Sequence, residues 1–246
     1  MTGLRVMTYN VHRGGDDREA VATVLSRCAP DIVMVQEAPV GLFAARDRAR
    51  LADAAGLHHL TGAIRTAVMV ADPDRWRADP RWIRRPLIRR YRNLRVLQLP
   101  NGAIAARTTA QDGPITVIGC HLGLHNRGRL DELRQVLAMA PSGEPRLVVG
   151  DINEPVGGPV WRAAADAGLV DSHAAVDRAT FPAAAPRHRI DVIWTSPGMR
   201  TAPVDPLQLG ITADLLRRAS DHLPVIVDVL GAADVDGAAA EDGVTG

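Results

Sequence analysis

The chain is 246 residues long, 46% apolar and 23% charged, with a formal net charge of +1 and 3% aromatic residues. Those values exclude a disordered polyelectrolyte and allow a sizeable core built from Val, Leu, Ile and Ala rather than from rings. No apolar stretch is long enough to span a bilayer, no charged leader with an apolar core and a cleavage site is visible, and Cys28 and Cys120 form no disulfide or zinc pattern.

The expected location is therefore the cytoplasm, without stable membrane insertion, and no protein partner is inferable. Every basic residue is arginine and none is lysine. Base composition accounts for that, and it carries little functional weight.

Residues 4–11 alternate as a strand, with Asn10 and His12 at its far end. Helical spacing follows over 16–27 through Ala20, Val21, Val24 and Leu25. Residues 31–37 read as a buried strand ending in Glu37, and a helix over 43–55 stops at Gly56. A short strand covers 67–71. From Arg75 to Arg95 the pattern breaks into nine arginines mixed with Trp76, Trp82 and Tyr91. Strands are expected over 94–99 and 103–110, with a hairpin signal at Asp112-Gly113 before a strand over 115–121. An amphipathic helix occupies 129–140. The strand from Leu147 ends in Gly150-Asp151-Ile152-Asn153, and a helix over 159–167 has proline in its first turn. Thr180-Phe181-Pro182 and the Ala/Pro-rich residues after it read as loop. The last strands cover 190–194 and 225–230, and an acidic tail over 231–246 is expected to fray.

Strands mixed with helices, and at least one hairpin, argue against a purely parallel doubly wound sheet. The expected fold class is α/β, a four-layer αββα sandwich with two mixed β-sheets packed face to face and helices outside, in one domain over 1–230.

The stretch around Asp151 organises the functional reading. An ionised Asp at the end of a core strand needs a cation or a tight hydrogen-bond network. Gly150 leaves room for a ligand to approach the backbone. Asn153 points the same way as Asp151 if the extended conformation continues. Asn10, Glu37, His121, Asp191 and Asp221-His222 also fall at or just beyond predicted strand ends. Each has a plain structural alternative: a turn residue at Asn10, an exposed strand end at Glu37, a satisfied buried ring at His121. Asp191 could pair with Arg189, and Asp221 could cap the turn before Pro224. These alternatives are independent, so all of them holding at once is improbable, and a fold that gathers strand ends would place the set in one cleft.

Met7-Thr8-Tyr9-Asn10-Val11-His12, Val35-Gln36-Glu37, His121-Leu122, Gly150-Asp151-Ile152-Asn153, Arg189-Ile190-Asp191 and Ser220-Asp221-His222-Leu223-Pro224 stand in the order of the endonuclease/exonuclease/phosphatase superfamily. The resemblance runs over about 4–230 and implies a Mg²⁺-dependent hydrolase of phosphate esters, with Mn²⁺ as a substitute. It implies Glu37 as the principal metal carboxylate, supported by Asn10 and Asp221. It implies that Asp151 and Asn153 position water and phosphate, Asp151 taking the water's proton. His222 would act on the phosphate with Asp191 fixing its tautomer, and His121 would contact the phosphate or the leaving group. Two departures stand out. The asparagine that many relatives carry after the first helix is absent from Arg65-Thr66-Ala67-Val68-Met69, and Cys120 precedes His121 where relatives have Thr or Ser.

The leading expectation is a phosphodiesterase or nuclease acting on DNA or RNA, with the arginine-rich segment either a polyanion contact or a solvated loop whose tryptophans plug the core. A phosphatase or sphingomyelinase-type phospholipase is the alternative. A non-catalytic binding module is disfavoured, because a pure binder has no need of this cluster of charges.

Overall fold

A computed structural model describes residues 3–13, 17–84, 88–91, 94–97, 101–110 and 113–230. Fourteen strands and five α-helices alternate along them. Six strands form the first sheet: β1 (Leu4–Asn10), β2 (Ile32–Gln36), β3 (His58–Ala63), β4 (Thr66–Val70), β13 (Thr201–Pro203) and β14 (Val225–Val229). Its order is β13-β14-β1-β2-β4-β3, with β1 parallel to β2 and every other pair antiparallel. The second sheet holds β5 (Arg77–Ile83), β8 (Asn101–Ala110), β9 (Gly113–His121), β10 (Arg146–Asp151), β11 (Val170–Asp171) and β12 (Asp191–Thr195), in the order β11-β12-β10-β9-β8-β5. Only β9 and β10 run parallel there. Strands β6 (Ile88–Tyr91) and β7 (Leu94–Leu97) pair with each other as a separate hairpin.

The layers follow from the alternation of side chains. On β1, Val6 joins the core between the sheets while Met7 and Tyr9 join the core under the helices. On β10, Leu147 and Val149 face the other sheet while Val148 faces helices. Both faces of the central strands are buried, so they read as continuous apolar runs. Helices α1 (Arg18–Cys28), α2 (Ala44–Ala54) and α5 (Ala213–Ala219) cover the first sheet through Val21, Val24, Leu25, Leu51, Ala52 and Leu216. Helices α3 (Asn126–Leu137) and α4 (Pro159–Asp166) cover the second through Leu133, Val136, Val160 and Trp161. The result is the expected αββα sandwich of two mixed sheets. Asp17 caps α1 by accepting the Ala20 N–H at 3.0 Å, so the helix begins at Arg18, two residues after its expected start.

Several elements depart from expectation. Residues 77–83 form an edge strand rather than a broken pattern, with Pro80 tolerated because an edge needs no ladder donor there. Trp76 is 1% exposed in the core between the sheets, whereas Trp82 is 70% exposed. Strand β3 was not foreseen because His58, His59, Thr61 and Gly62 dilute the apolar signal on a half-exposed sheet edge. Helix α5 was missed because it has only seven residues, although Thr212 caps it conventionally through the Leu215 N–H. The expected tail over 231–246 and the turn residue Asp112 lie outside the described residues.

Candidate active site

Parallel pairing within each sheet sets the site. Because β1 runs beside β2 and β9 beside β10, Asn10, Glu37, His121 and Asp151 all fall at the same end of the sandwich. Antiparallel β12 and β14 begin at that end, delivering Asp191 opposite Asp151 and placing Asp221-His222 just ahead of Val225. A cleft of about 460 Å³ opens there, lined by Glu37, Arg65, His121, Asp151, Asn153, Asp221 and His222. Asn10 and Asp191 lie beneath it, each 1% exposed.

Asp151 is the centre of the hydrogen-bond network. Its Oδ2 accepts from Asn10 Nδ2 at 3.0 Å across the two sheets, and its Oδ1 accepts from the Asn153 backbone N–H at 2.8 Å. His121 Nε2 lies 3.5 Å and His222 Nε2 3.9 Å from the same Oδ2. Burial, with the Asp191 carboxylate next to it, pushes Asp151 well above the usual carboxylate range, while His222 and the bonds from Asn153 and Asn10 work the other way.

His222 has the opposite character. Its Nδ1 pairs with Asp191 Oδ2 at 2.9 Å. Burial disfavours the charged ring, but the charge of Asp191, its hydrogen bond, and the charges of Asp151 and Asp221 outweigh that and raise the pKa to about 9. Phe181 packs against the ring with centroids 4.8 Å apart. Ser220 steadies the loop, accepting the His222 N–H and donating Oγ–H to the Asn10 carbonyl at 2.7 Å. Burial pushes His121 down instead, with Glu37 opposing and Arg65 adding to the shift, so its ring stays neutral near pH 7.

Two details correct the sequence reading of the central stretch. Asn153 does not continue the strand: its φ is +53°, and its Nδ2 donates to the Leu122 carbonyl at 2.9 Å. The Asp151 carboxylate draws the Asn153 N–H back on itself and turns the chain. Gly150 serves a close approach of strands rather than of a ligand, since a Cβ there would lie 1.9 Å from the Cys120 carbonyl oxygen. The plain alternatives for two acids also fall. Arg189 pairs with Asp171 at 2.7 Å and Asp177 at 3.0 Å, leaving Asp191 to His222, and no cap hydrogen bond holds Asp221 among the described residues.

A divalent ion suits this donor set. Asp221 Oδ1 and Asp191 Oδ1 are buried and have no hydrogen-bond partner among the described residues, a condition that a cation relieves. Asp151, Asp191 and His222 bring one ligand atom each within 4.8 Å of one another. That trio differs from Asn10, Glu37 and Asp221. Glu37 is engaged by Arg65 at 3.2 Å and by the Arg13 N–H at 3.2 Å, and Asn10 by Asp151 and the His12 N–H.

Sequence reasoning missed three contributors. Arg65 reaches Glu37 from the β3–β4 turn, Asn101 at the start of β8 donates to the His121 carbonyl, and Phe181 packs on His222. Arg65 opens the stretch Arg65-Thr66-Ala67-Val68-Met69 in which the relatives' asparagine is absent, and that was the one available signal. A larger cavity of about 630 Å³ lies behind the loop holding Thr180 and Leu223, away from this array of acids and histidines.

The sequence pattern of the Endonuclease/Exonuclease/phosphatase family matches residues 7–222. The chain belongs to that family. Its members are metal-dependent hydrolases of phosphate esters, and the chain is an enzyme of that kind. Solved structures share the family fold at low identity. A conserved protein of unknown function from Enterococcus faecalis V583 is 20% identical with a TM-score of 0.68, the alignment covering 93% of this chain and 100% of that one. An endonuclease/exonuclease/phosphatase from Beutenbergia cavernae DSM 12333 is 20% identical, with a TM-score of 0.65 over 93% of this chain and 72% of that one. A mannosyl-6-phosphatase from Bacteroides thetaiotaomicron VPI-5482 is 16% identical, with a TM-score of 0.66 over 93% and 100% of the two chains. No curated protein matches the chain.

Proposed function

We propose that the enzyme is a Mg²⁺-dependent phosphodiesterase, with Mn²⁺ able to substitute, and that nucleic acid is favoured over lipid or small-molecule phosphates. The observation that carries this reading is Asp151, buried between two histidines and bonded to Asn10 at the end of the cleft. Glu37, Asp221 and Asn10 would hold the ion. When bound, the ion supplies Lewis-acid polarisation of a phosphate oxygen and neutralises charge as the phosphate is attacked.

The chain's own residues divide the proton work. Asp151, whose proton affinity is raised toward neutrality, takes the proton of the attacking water as its oxygen bonds to phosphorus and the ester P–O bond breaks. Asn153 borders the same cleft and helps position the phosphate. His222, an imidazolium near pH 7, directs its Nε2 proton to the phosphate, while Asp191 holds Nδ1 and so fixes the ring. His121 stays neutral and serves as an N–H donor to the phosphate or the departing oxygen. The trio Asp151, Asp191 and His222 handles protons, because His222 Nδ1 and Asp191 Oδ2 already satisfy each other.

The name of the Bacteroides mannosyl-6-phosphatase favours a second reading, a phosphomonoesterase on small or lipid phosphates, sphingomyelin-type substrates included. Two buried free thiols, Cys28 and Cys120, suit a reducing compartment such as the cytoplasm. No helix among the described residues is long and apolar enough to cross a membrane. A substrate panel tests the assignment: plasmid, single-stranded DNA, RNA, phosphoinositides, sugar phosphates and sphingomyelin, each with Mg²⁺, Mn²⁺ or chelator. Metal-dependent cleavage of a polynucleotide is expected. Turnover confined to phosphomonoesters or sphingomyelin would overturn the preference for nucleic acid, and turnover unaffected by chelator would overturn the metal.

A further inference from the structure

Beside the catalytic cleft lies a second cavity of about 570 Å³, and the two share Arg13, Glu37 and Arg65 as a common wall. The Arg65–Glu37 ion pair at 3.2 Å stands between them, so this groove opens off the side of the cleft that Glu37 occupies.

The local sequence makes the groove. Pro39 follows the end of β2, and Gly41, at φ +99°, turns the chain toward α2. The Ala38 N–H ties this loop to the β3–β4 turn by donating to the Arg65 carbonyl at 2.9 Å. Arg48 of α2, 6% exposed, ties the same two segments, donating to the Pro39 carbonyl at 2.8 Å and to the Ile64 carbonyl. Small residues then leave the space open. A Cβ built on Gly41 meets nothing within 4 Å, and Ala44 begins the helix with a single methyl group.

The lining is apolar. Apart from the shared wall and Arg48, the sides are Ala38, Val40, Gly41, Ala44 and Ile64, none with a hydrogen-bonding side chain. Nearby backbone carbonyls are already engaged: Pro39 and Ile64 by Arg48, Arg65 by Ala38, and Gly41 by the Ala44 N–H at 3.2 Å. A hydroxyl-rich group seated there gives up water and gains few partners. An aromatic ring gains by leaving water, and the planar guanidinium of Arg65 at the boundary is suited to stacking on its face. The rim of the loop is apolar as well, with Val40 60%, Leu42 92% and Phe43 55% exposed. Large apolar side chains gathered in water beside a cleft mark a surface that meets an apolar group.

We infer that this groove is a specificity subsite for an aromatic group carried on the phosphate ester, and that it selects such esters over hydroxyl-rich ones. The inference rests on the phosphoesterase reading of the cleft and adds to it the part of the substrate that does not react. A base or an aryl group fits the lining, whereas the polyol of a sugar phosphate or an inositol phosphate does not.

The test is calorimetric titration of the full chain in Mg²⁺ with benzylphosphonate and methylphosphonate, and with 2,3-dihydroxypropylphosphonate as the hydroxyl-rich comparison. Their C–P bonds resist hydrolysis, so binding is read without turnover. Wild type is expected to hold benzylphosphonate about tenfold or more tighter than methylphosphonate, and the dihydroxypropyl compound no tighter than methylphosphonate. The variants are Val40→Ser, at an exposed position, and Val40→Ser combined with Ala44→Gln, which narrows the groove; thermal melts show that each is folded. Both are expected to lose preference for the ring, the double variant nearly all of it, with methylphosphonate affinity unchanged. Equal affinities for the three phosphonates in wild type, or no binding of benzylphosphonate, would overturn the inference. So would a preference for the ring that survives in the folded variants. Val40-dependent binding to phosphatidylglycerol vesicles, with the phosphonates bound alike, would assign the loop to a lipid surface instead. Metal-dependent turnover of bis(p-nitrophenyl) phosphate by the wild type tests the hydrolytic reading separately, since a chain that hydrolyses it while binding the phosphonates alike has the active site without the subsite.

Discussion

Asp191 determines what His222 can do. The carboxylate holds Nδ1 at 2.9 Å and keeps the ring charged up to about pH 9, against an ordinary imidazole value of 6.5. A histidine whose pKa rises on folding stabilises the fold fully below its unfolded value and loses that contribution as the pH climbs through the folded one. In metal-free protein, Asp191→Asn is therefore expected to lower the melting temperature more at pH 6 than at pH 10. The His222 imidazole resonance should then titrate well below pH 9. A variant equally destabilised at both pH values, with the resonance unmoved, would show that the pair does not hold the proton. The acids and histidines of the site were legible in the sequence because each borders an apolar run where a strand begins or ends. Arg65 and Asn101 were not, because what they touch is set by strand register: Glu37 is 28 residues from Arg65, and His121 is 20 from Asn101.

The stretch from Arg75 to Ile83 shows how an element can hide. Its composition reads as a charged loop, yet Arg77–Ile83 pair with residues 101–107 of β8 as an edge strand. The ladder needs only backbone, and an edge strand leaves its outer arginines in water. The two tryptophans consequently differ. Trp76 closes the core between the sheets beside Val68, Ile104 and Ala106, while Trp82 lies open. Trp76→Ala is expected to cost about 3–5 kcal/mol in a denaturant melt, and Trp82→Ala about 0.5 kcal/mol or less. Equal losses would mean that both rings pack alike. Deeply buried pieces such as α1, β2 and β10 were read correctly because burial dictates their sequence. The edge pieces β3 and β13 bury little, so little of their sequence is constrained.

At the scale of the molecule, one topological fact makes a site from dispersed residues. Two parallel strand pairs, one in each sheet, place four strand ends on one rim, and the antiparallel returns bring Asp191 and His222 back to it. Nothing local in the sequence states this. It follows once strand ends with polar side chains are required to share a face, and that requirement was enough to anticipate the cleft but not its neighbours. The arginine-rich stretch illustrates the limit: its charge was visible in the sequence, whereas the pairing of Arg77–Ile83 with β8, which sets Ile83 opposite Asn101, was not.

If residues so far apart act as a unit on one phosphate, their removal cannot add. The most direct measurement is the initial rate of bis(p-nitrophenyl) phosphate hydrolysis at saturating Mg²⁺ for wild type, Glu37→Gln, Asp221→Asn and the double variant, with folding verified for each. Convergence on a shared ion predicts a loss of about 10²-fold or more in each single variant, a double variant little worse than the worse single one, and no wild-type activity in chelator. Small losses that multiply in the double variant, or a rate indifferent to chelator, would contradict it.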